Sequence, residues 1–163
     1  MDPKRYFLQD DGLFPNSPLP VLHFERALQL PVFFSALHVK RLLHRHGWGN
    51  NWRGGIFTYH HYHSTAHEVL AIIEGRTDLQ IGGHSGVVLT IRKTDVVVMP
   101  AGVAHKNLGS ERDVDVIGGY ADNRKFDLNY GAPSERPGAL KNIALLPLPD
   151  KDPVTGEQLH WGH

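Results

Sequence analysis

Hydrophobic and polar residues alternate in short runs through the middle of the chain, and glycine or proline interrupts these runs at close intervals. The pattern predicts β-strands over 56–63, 67–74, 76–82, 86–91, 95–99, 103–108 and 113–120. Many short strands at such regular spacing are typical of an antiparallel sandwich or a small barrel. This part of the sequence therefore predicts an all-β fold.

One segment, PVFFSALHVKRLLHRHG at 31–47, has the period of a helix instead. Val39 and Leu43 are four residues apart, which places them on one helix face. Pro31 suits a first helical turn, and Gly47 suits the position after the last turn. We therefore predict a helix over 31–47, before the strands begin.

The segments outside this helix and the predicted strands are richer in turn-forming residues. Residues 1–30 contain the proline-rich run FPNSPLPVL, and we expect an extended arm of which 13–22 pack on a neighbouring subunit. Residues 48–55, WGNNWRGG, are interpreted as a turn-rich connector at the start of a barrel core over 48–121. Residues 122–163 are expected to form a loop-rich extension whose last part covers the barrel mouth as a lid. The whole chain would be one domain.

The composition narrows the classes of function. Hydrophobic residues make up 40% of the chain and charged residues 21%, so a core can form without metal or disulfides. Lys and Arg together number 17, as do Asp and Glu, which is not the charge balance of a dedicated nucleic-acid binder. No apolar run is long enough to span a membrane, and we expect a cytoplasmic location by default. The absence of cysteine excludes disulfides, thiolate catalysis and cysteine-based zinc sites.

The histidines indicate a candidate metal site, because four of the 12 fall within YHHYHSTAHE. Residues two apart on a strand point to the same face, so His61 and His63 can bind one ion while His60 faces away. A turn after them would bring Glu68 beside the pair at the start of an apolar strand, where an unpaired carboxylate would be costly. His67 alternates away from Glu68 and is not expected to be a ligand.

A second histidine segment lies far along the chain, where DVVVMPAGVAHKN predicts a strand, a proline-glycine turn and then His105. The two segments together resemble the two motifs of the cupin superfamily. The first motif reads glycine, five residues, H-x-H, three or four residues, glutamate, six residues and glycine. It is matched at every position, by Gly55, His61, His63, Glu68 and Gly75.

The second cupin motif reads glycine, five residues, P-x-G, two residues, histidine, three residues and asparagine. Pro100, Gly102 and His105 match it. Its two ends depart, because Thr94 stands where the first glycine belongs and Asn107 comes two positions before the expected asparagine. Neither departure touches a candidate ligand, so they concern only the local turns.

The wider sequence is similar to the YjlB-like branch of single-domain cupins. The resemblance implies an RmlC-like jelly-roll barrel, a double-stranded β-helix, with an N-terminal helix and extended arms. It also implies that His61, His63, Glu68 and His105 bind one divalent transition-metal ion, for which Fe, Mn, Ni, Co and Zn all suit nitrogen and oxygen ligands. Because small cupins commonly pair their sheets, it further implies a homodimer.

The predicted function follows from this metal site. We expect a metal-dependent enzyme, of dioxygenase or isomerase type, that acts on a small organic molecule; the alternative is a cupin that binds or senses a small ligand without turnover. Phe57 and Tyr59 are in phase with His61 and His63 and are expected to contact the substrate, although Tyr59 could equally be a core residue. No nucleic-acid or membrane partner is expected.

Overall fold

Antiparallel strands form most of the structure, a computed structural model that describes residues 1–161. Over this range there are eight strands and two α-helices. The strands are β1 (Lys4–Leu8), β2 (Ser17–Phe24), β3 (Trp48–Gly54), β4 (Glu68–Ile81), β5 (Val87–Arg92), β6 (Val96–Met99), β7 (His105–Asn107) and β8 (Val114–Ala121). The helices are α1 (Ser35–Arg45) and α2 (Arg136–Leu145).

The long strand β4 connects two sheets. Its first half pairs with β6 on one side and β8 on the other, within the strand order β1-β2-β6-β4-β8-β3. Its second half pairs with β5 and β7. Every one of these pairings is antiparallel, and the arrangement is the all-β jelly-roll barrel that the sequence predicts.

Alternate residues of β4 are buried in two different hydrophobic clusters. Leu70 and Ile72 belong to the cluster in the barrel interior. Val69 and Ala71 point the other way, into a cluster that also contains Leu43 of α1. The strand is therefore buried on both faces, which explains its nearly continuous apolar sequence.

Helix α1 is shorter than the predicted 31–47. It begins at Ser35, because Phe34 has a φ of 60° and this left-handed conformation cannot continue a right-handed helix. It ends at Arg45, and Gly47 follows with a φ of 87°, the conformation that favours glycine after a helix.

The segment expected to form an extended arm contributes two strands to the larger sheet. Strand β2 lies between β1 and β6, and Leu22 pairs with Val98 of β6. Pro18 and Pro20 precede the stretch of β2 that pairs with β6, so their missing N–H groups are not needed there. Val21 and Leu22 are buried within their own chain, and packing of 13–22 on a neighbouring subunit is therefore wrong for these two residues.

The described end of the chain lies beside α1 and not over the barrel mouth. Trp161 packs in the same cluster as Leu43, and its Nε1 donates a hydrogen bond to the carbonyl of Pro20 at 2.8 Å. The carbonyls of Lys151 and Pro153 accept hydrogen bonds from Trp48 and His46, next to the end of α1. The lid expected at the end of the chain is therefore wrong for 151–161, and residues 162 and 163 lie outside the described range. Neither α1 nor α2 is long and apolar enough to cross a membrane.

Candidate metal centre

His61 and His105 are brought together by a short antiparallel pairing. The predicted strand over 56–63 does not form; His61 instead makes a single bridge to His105. The His61 N–H donates to the His105 carbonyl at 3.2 Å, and the His105 N–H donates to the His61 carbonyl at 3.0 Å. Gly55 precedes this segment where the chain passes so close to Glu111 that a Cβ would lie 2.2 Å from its carbonyl oxygen. This contact explains the first glycine of the motif.

Three buried imidazoles face a common point. In His61, His63 and His105, the Nδ1 atom lies within hydrogen-bond distance of a backbone carbonyl, which can only accept. The accepting carbonyls are those of Tyr59 for His61, Asp127 for His63 and Val103 for His105. Each neutral ring is thereby held with its proton on Nδ1 and its electron pair on Nε2. The candidate ligand nitrogens of the three rings lie within 4.8 Å of one another.

Glu68 completes the group as an oxygen donor. Its Oε2 atom lies 3.1 Å from Nε2 of His63 and 3.3 Å from Nε2 of His105. Over residues 1–161 this buried oxygen has no partner with hydrogen-bond geometry, and such an atom is costly unless something compensates it. A cation between the carboxylate and the imidazoles would provide that compensation, so these residues fit a divalent ion.

The ionisation of the group also favours a cation. Burial raises the pKa of Glu68, but the facing His63 and His105 outweigh burial and hold that pKa well below its usual value. Burial lowers the pKa of His63, but the Glu68 carboxylate reverses this and raises it. Burial and the neighbouring His105 lower the pKa of His61 to about 3. The centre therefore contains an anionic carboxylate and at least one neutral imidazole.

His60 and His67 lie outside the group of three histidines. The Nδ1 atom of His67 accepts a hydrogen bond from the N–H of Ala101 at 3.0 Å, and its ring packs on Trp161 at a centroid distance of 4.7 Å. The ring of His60 faces away, 4.4 Å from the ring of His84. Both positions agree with the expected alternation of side chains.

A cavity of about 360 Å³ opens beside the metal centre. Phe57 lines it, although the strand on which that expectation rests does not form. Tyr59 lies outside this lining: its ring stacks on Phe57 at 4.9 Å and borders a neighbouring cavity together with His60. Tyr59 is therefore separated from this cavity by Phe57 and by His61, whose ring lies 5.7 Å from its own.

Tyr120 is a site residue that the sequence alone does not indicate. It pairs directly with Glu68 across β8 and β4, and its hydroxyl donates to Oε1 of Glu68 at 3.4 Å. The same hydroxyl accepts a hydrogen bond from Nε1 of Trp52 at 3.0 Å. Tyr120 thus holds one carboxylate oxygen and leaves Oε2 facing the imidazoles. The register between β4 and β8, on which this depends, has no signature in the sequence.

Asp127 is a second such residue, and it ties two loops together behind His63. Its Oδ1 accepts from the N–H of Ser64 at 2.6 Å, and its Oδ2 accepts from the Ser64 hydroxyl and from Nδ2 of Asn129. Its backbone carbonyl accepts from Nδ1 of His63. It comes from a stretch without periodicity, so no sequence pattern points to it.

The two departures from the second cupin motif have structural counterparts. Thr94 adopts a φ of 77°, the conformation for which the motif uses glycine. Asn107 stabilises the turn after His105 although it comes two residues before the motif's asparagine. Its Oδ1 accepts from Thr77 Oγ1 at 2.7 Å and from the N–H of Gly109 at 2.9 Å. Both turns form, and His105 is delivered to the centre.

Several known proteins are similar to this chain in structure. Acireductone dioxygenase from Bacillus anthracis, described with a cadmium ion in its active centre, has a TM-score of 0.44 and 14% identity over 65% of this chain and 80% of its own. A vicilin from Solanum melongena has a TM-score of 0.38 and 22% identity, and the match covers 49% of this chain but only 24% of the vicilin chain.

Sequence comparison gives a closer relationship. No family model matches the chain. The protein YjlB of Bacillus subtilis, named as uncharacterized, is 41% identical over 154 residues, which cover 94% of this chain and 90% of YjlB. Identity at this level over nearly the full length of both chains establishes that the two proteins belong to one family. The chain belongs to the same family as YjlB.

Proposed function

We propose that this protein is a metal-dependent enzyme that acts on a small organic molecule by oxygenation or isomerisation. His61, His63, Glu68 and His105 would bind one divalent transition-metal ion, with Fe, Mn, Ni, Co and Zn as candidates. When bound, the ion would act as a Lewis acid that polarises an oxygen of the substrate.

The proposal depends on one observation above all. Three imidazoles have their Nδ1 atoms committed to backbone carbonyls and their Nε2 atoms directed to one point, close to Oε2 of Glu68. Outer partners that fix the ring orientation in this way are typical of metal-binding histidines. Because each Nδ1 already has a carbonyl acceptor, the three Nε2 atoms remain for an ion between the rings and Glu68.

The surrounding side chains would position the substrate and limit the access of water. Tyr120 orients Glu68, and Trp52 in turn orients the Tyr120 hydroxyl. Phe57 would contact the substrate directly, and Tyr59 would support the Phe57 ring through stacking. The aromatic wall would strengthen electrostatic interactions at the centre by excluding water.

The ligand assignment is tested by comparing two histidine variants. His105→Ala should lose most of the metal taken up by the purified protein, whereas His60→Ala should retain it, because His60 faces away from the centre. Elemental analysis of both variants after loading and desalting gives ions per chain. Equal metal content in the two variants would contradict the proposal.

Turnover is tested separately on the loaded protein. An oxygenase charged with Fe(II) should consume dioxygen in the presence of a fitting enediol substrate. An isomerase should instead convert its substrate to an isomer without loss of dioxygen. The alternative, binding or sensing of a small ligand without turnover, predicts a rise in melting temperature with the same compound, no loss of dioxygen and no product.

We also propose a homodimer and a cytoplasmic location. The homodimer is supported by the consecutive apolar residues Val32, Phe33 and Phe34, whose exposed fractions are 91%, 76% and 81%. Adjacent exposed apolar side chains of this size are typical of an interaction surface. Light scattering at micromolar concentration should give the mass of a dimer, and a monomer would contradict it. Imaging of a fluorescent fusion tests the location.

A further inference from the structure

The cavity beside the metal centre has a lining that restricts the chemistry of its ligand. We propose that it takes a small molecule with a flat apolar or aromatic group at one end and an oxygen-chelating group of at most one negative charge at the other. This rests on the proposed metal centre, because the chelating end requires the ion.

The charge of the lining argues against polyanionic ligands. Among the described residues that border the cavity there is no lysine or arginine, and Glu111 adds an exposed carboxylate. A divalent ion bound by neutral imidazoles and Glu68 has a net charge of about +1, which a single ligand anion cancels. A phosphate ester or a dicarboxylate would bring further negative charge towards Glu111 without a compensating cation, which is unfavourable.

The apolar surface of the lining is aromatic and partly uncovered. Phe126 stacks on Tyr120 at a centroid distance of 4.6 Å and lies 5.0 Å from the ring of His63. Phe57 stands edge-on to the ring of His61 at 5.1 Å. Phe57 and Phe126 are nevertheless 41% and 44% exposed, so a flat ligand chelated at the centre could bury more of both rings.

The volume of the cavity and the hydrogen bonds of its wall also favour a small aromatic chelating ligand. The cavity of about 360 Å³ lies at the lower end of the range for small-molecule sites, which suits one ring with a short chelating group. The Tyr120 hydroxyl is already engaged with Trp52 and Glu68. A sugar with many hydroxyl groups would therefore find few free partners in this wall.

Three matched hydroxamates test the inference on protein loaded with Zn²⁺. Acetohydroxamate and benzohydroxamate chelate through the same two oxygens and differ by a phenyl ring, while 4-carboxybenzohydroxamate adds a second negative charge. Isothermal titration should show benzohydroxamate binding at least about tenfold more tightly than acetohydroxamate, as burial of an aromatic ring requires. The carboxylated compound should bind more weakly than benzohydroxamate.

Substitutions of Phe126 and Glu111 test whether these side chains cause the preference for the phenyl ring and the penalty for the added carboxylate. Phe126→Ala should reduce the advantage of the phenyl ring several-fold, whereas Phe7→Ala, an exposed phenylalanine on β1, should leave it unchanged. Glu111→Gln should reduce the penalty of the added carboxylate. Metal content is measured for every variant, so that changes in loading are separated from changes in ligand affinity.

The outcomes separate the inference from the proposed function. If the protein binds about one zinc ion per chain but acetohydroxamate binds as tightly as benzohydroxamate, or the carboxylated compound binds best, the ligand class is wrong and the metal centre stands. If no zinc binds, the proposed function fails and the inference fails with it.

Discussion

Asp127 offers a sharp test of how the metal centre is held, because its side chain holds the loop behind His63 and is not one of the proposed metal ligands. Removal of the carboxylate in Asp127→Ala takes away the acceptor for the N–H of Ser64 at 2.6 Å and for the Ser64 hydroxyl. The loop that carries the Asp127 carbonyl, and with it the orientation of the His63 ring, then loses its attachment.

The magnitude follows from these contacts. Hydrogen bonds to a charged group contribute roughly 1.5–3 kcal/mol each, and Asp127 is half-buried, so we expect the free energy of unfolding to fall by about 2–4 kcal/mol. Loss of a residue that orients a metal ligand typically weakens metal affinity by about 10–100-fold. Zn²⁺ affinity measured by competition with a chromophoric chelator, and urea unfolding of the metal-free protein, give the two quantities.

The control is Asp150→Ala, which removes a carboxylate exposed in the C-terminal tail and should change neither quantity. A folded Asp127→Ala variant that binds Zn²⁺ as tightly as the unaltered protein would refute the reasoning. Either His63 would not be a ligand, or its orientation would not depend on the loop.

Three further substitutions test the fold. Thr94→Gly should raise the free energy of unfolding by about 0.5–1 kcal/mol, because relief of left-handed strain exceeds the added chain entropy of glycine; a lower melting temperature would contradict this. Leu43→Ala should cost about 2–5 kcal/mol in urea unfolding, because the side chain is fully buried against β4. Trp161→Ala should cost about 3–5 kcal/mol, and unchanged stability would show that the tail does not pack on α1.

The strands of the barrel could be predicted wherever the local hydrophobic pattern matches the strand that forms. The runs between 67 and 120 alternate or are continuously apolar, and the strands β4 to β8 form there. The separate strands predicted over 67–74 and 76–82 are wrong in one respect, because β4 continues through Gly75 as a single strand. Residues 48–55 are interpreted as a connector because they are rich in turn-forming residues, but pairing with β8 makes most of them the strand β3. The Trp52 ring packs against Gly118, where an added Cβ would lie 2.0 Å from it. The sequence does not predict β2, because its prolines argue against a strand when the neighbouring strands are unknown.

The candidate metal ligands could be predicted from the spacing of their residues along the chain. A two-residue period and the motif spacing select His61, His63, Glu68 and His105, and the structure brings all four together, although His61 makes only an isolated bridge. Tyr120, Phe126 and Asp127 reach the site through strand register and a loop crossing, which depend on distant segments of the chain.

The most direct test of the central claim is elemental analysis of untagged protein purified without added metal. We expect close to one ion of iron, manganese, nickel, cobalt or zinc per chain, with the content largely lost in His105→Ala. Protein without metal that also takes up none on addition would contradict the account, because the four side chains would then not form a metal centre.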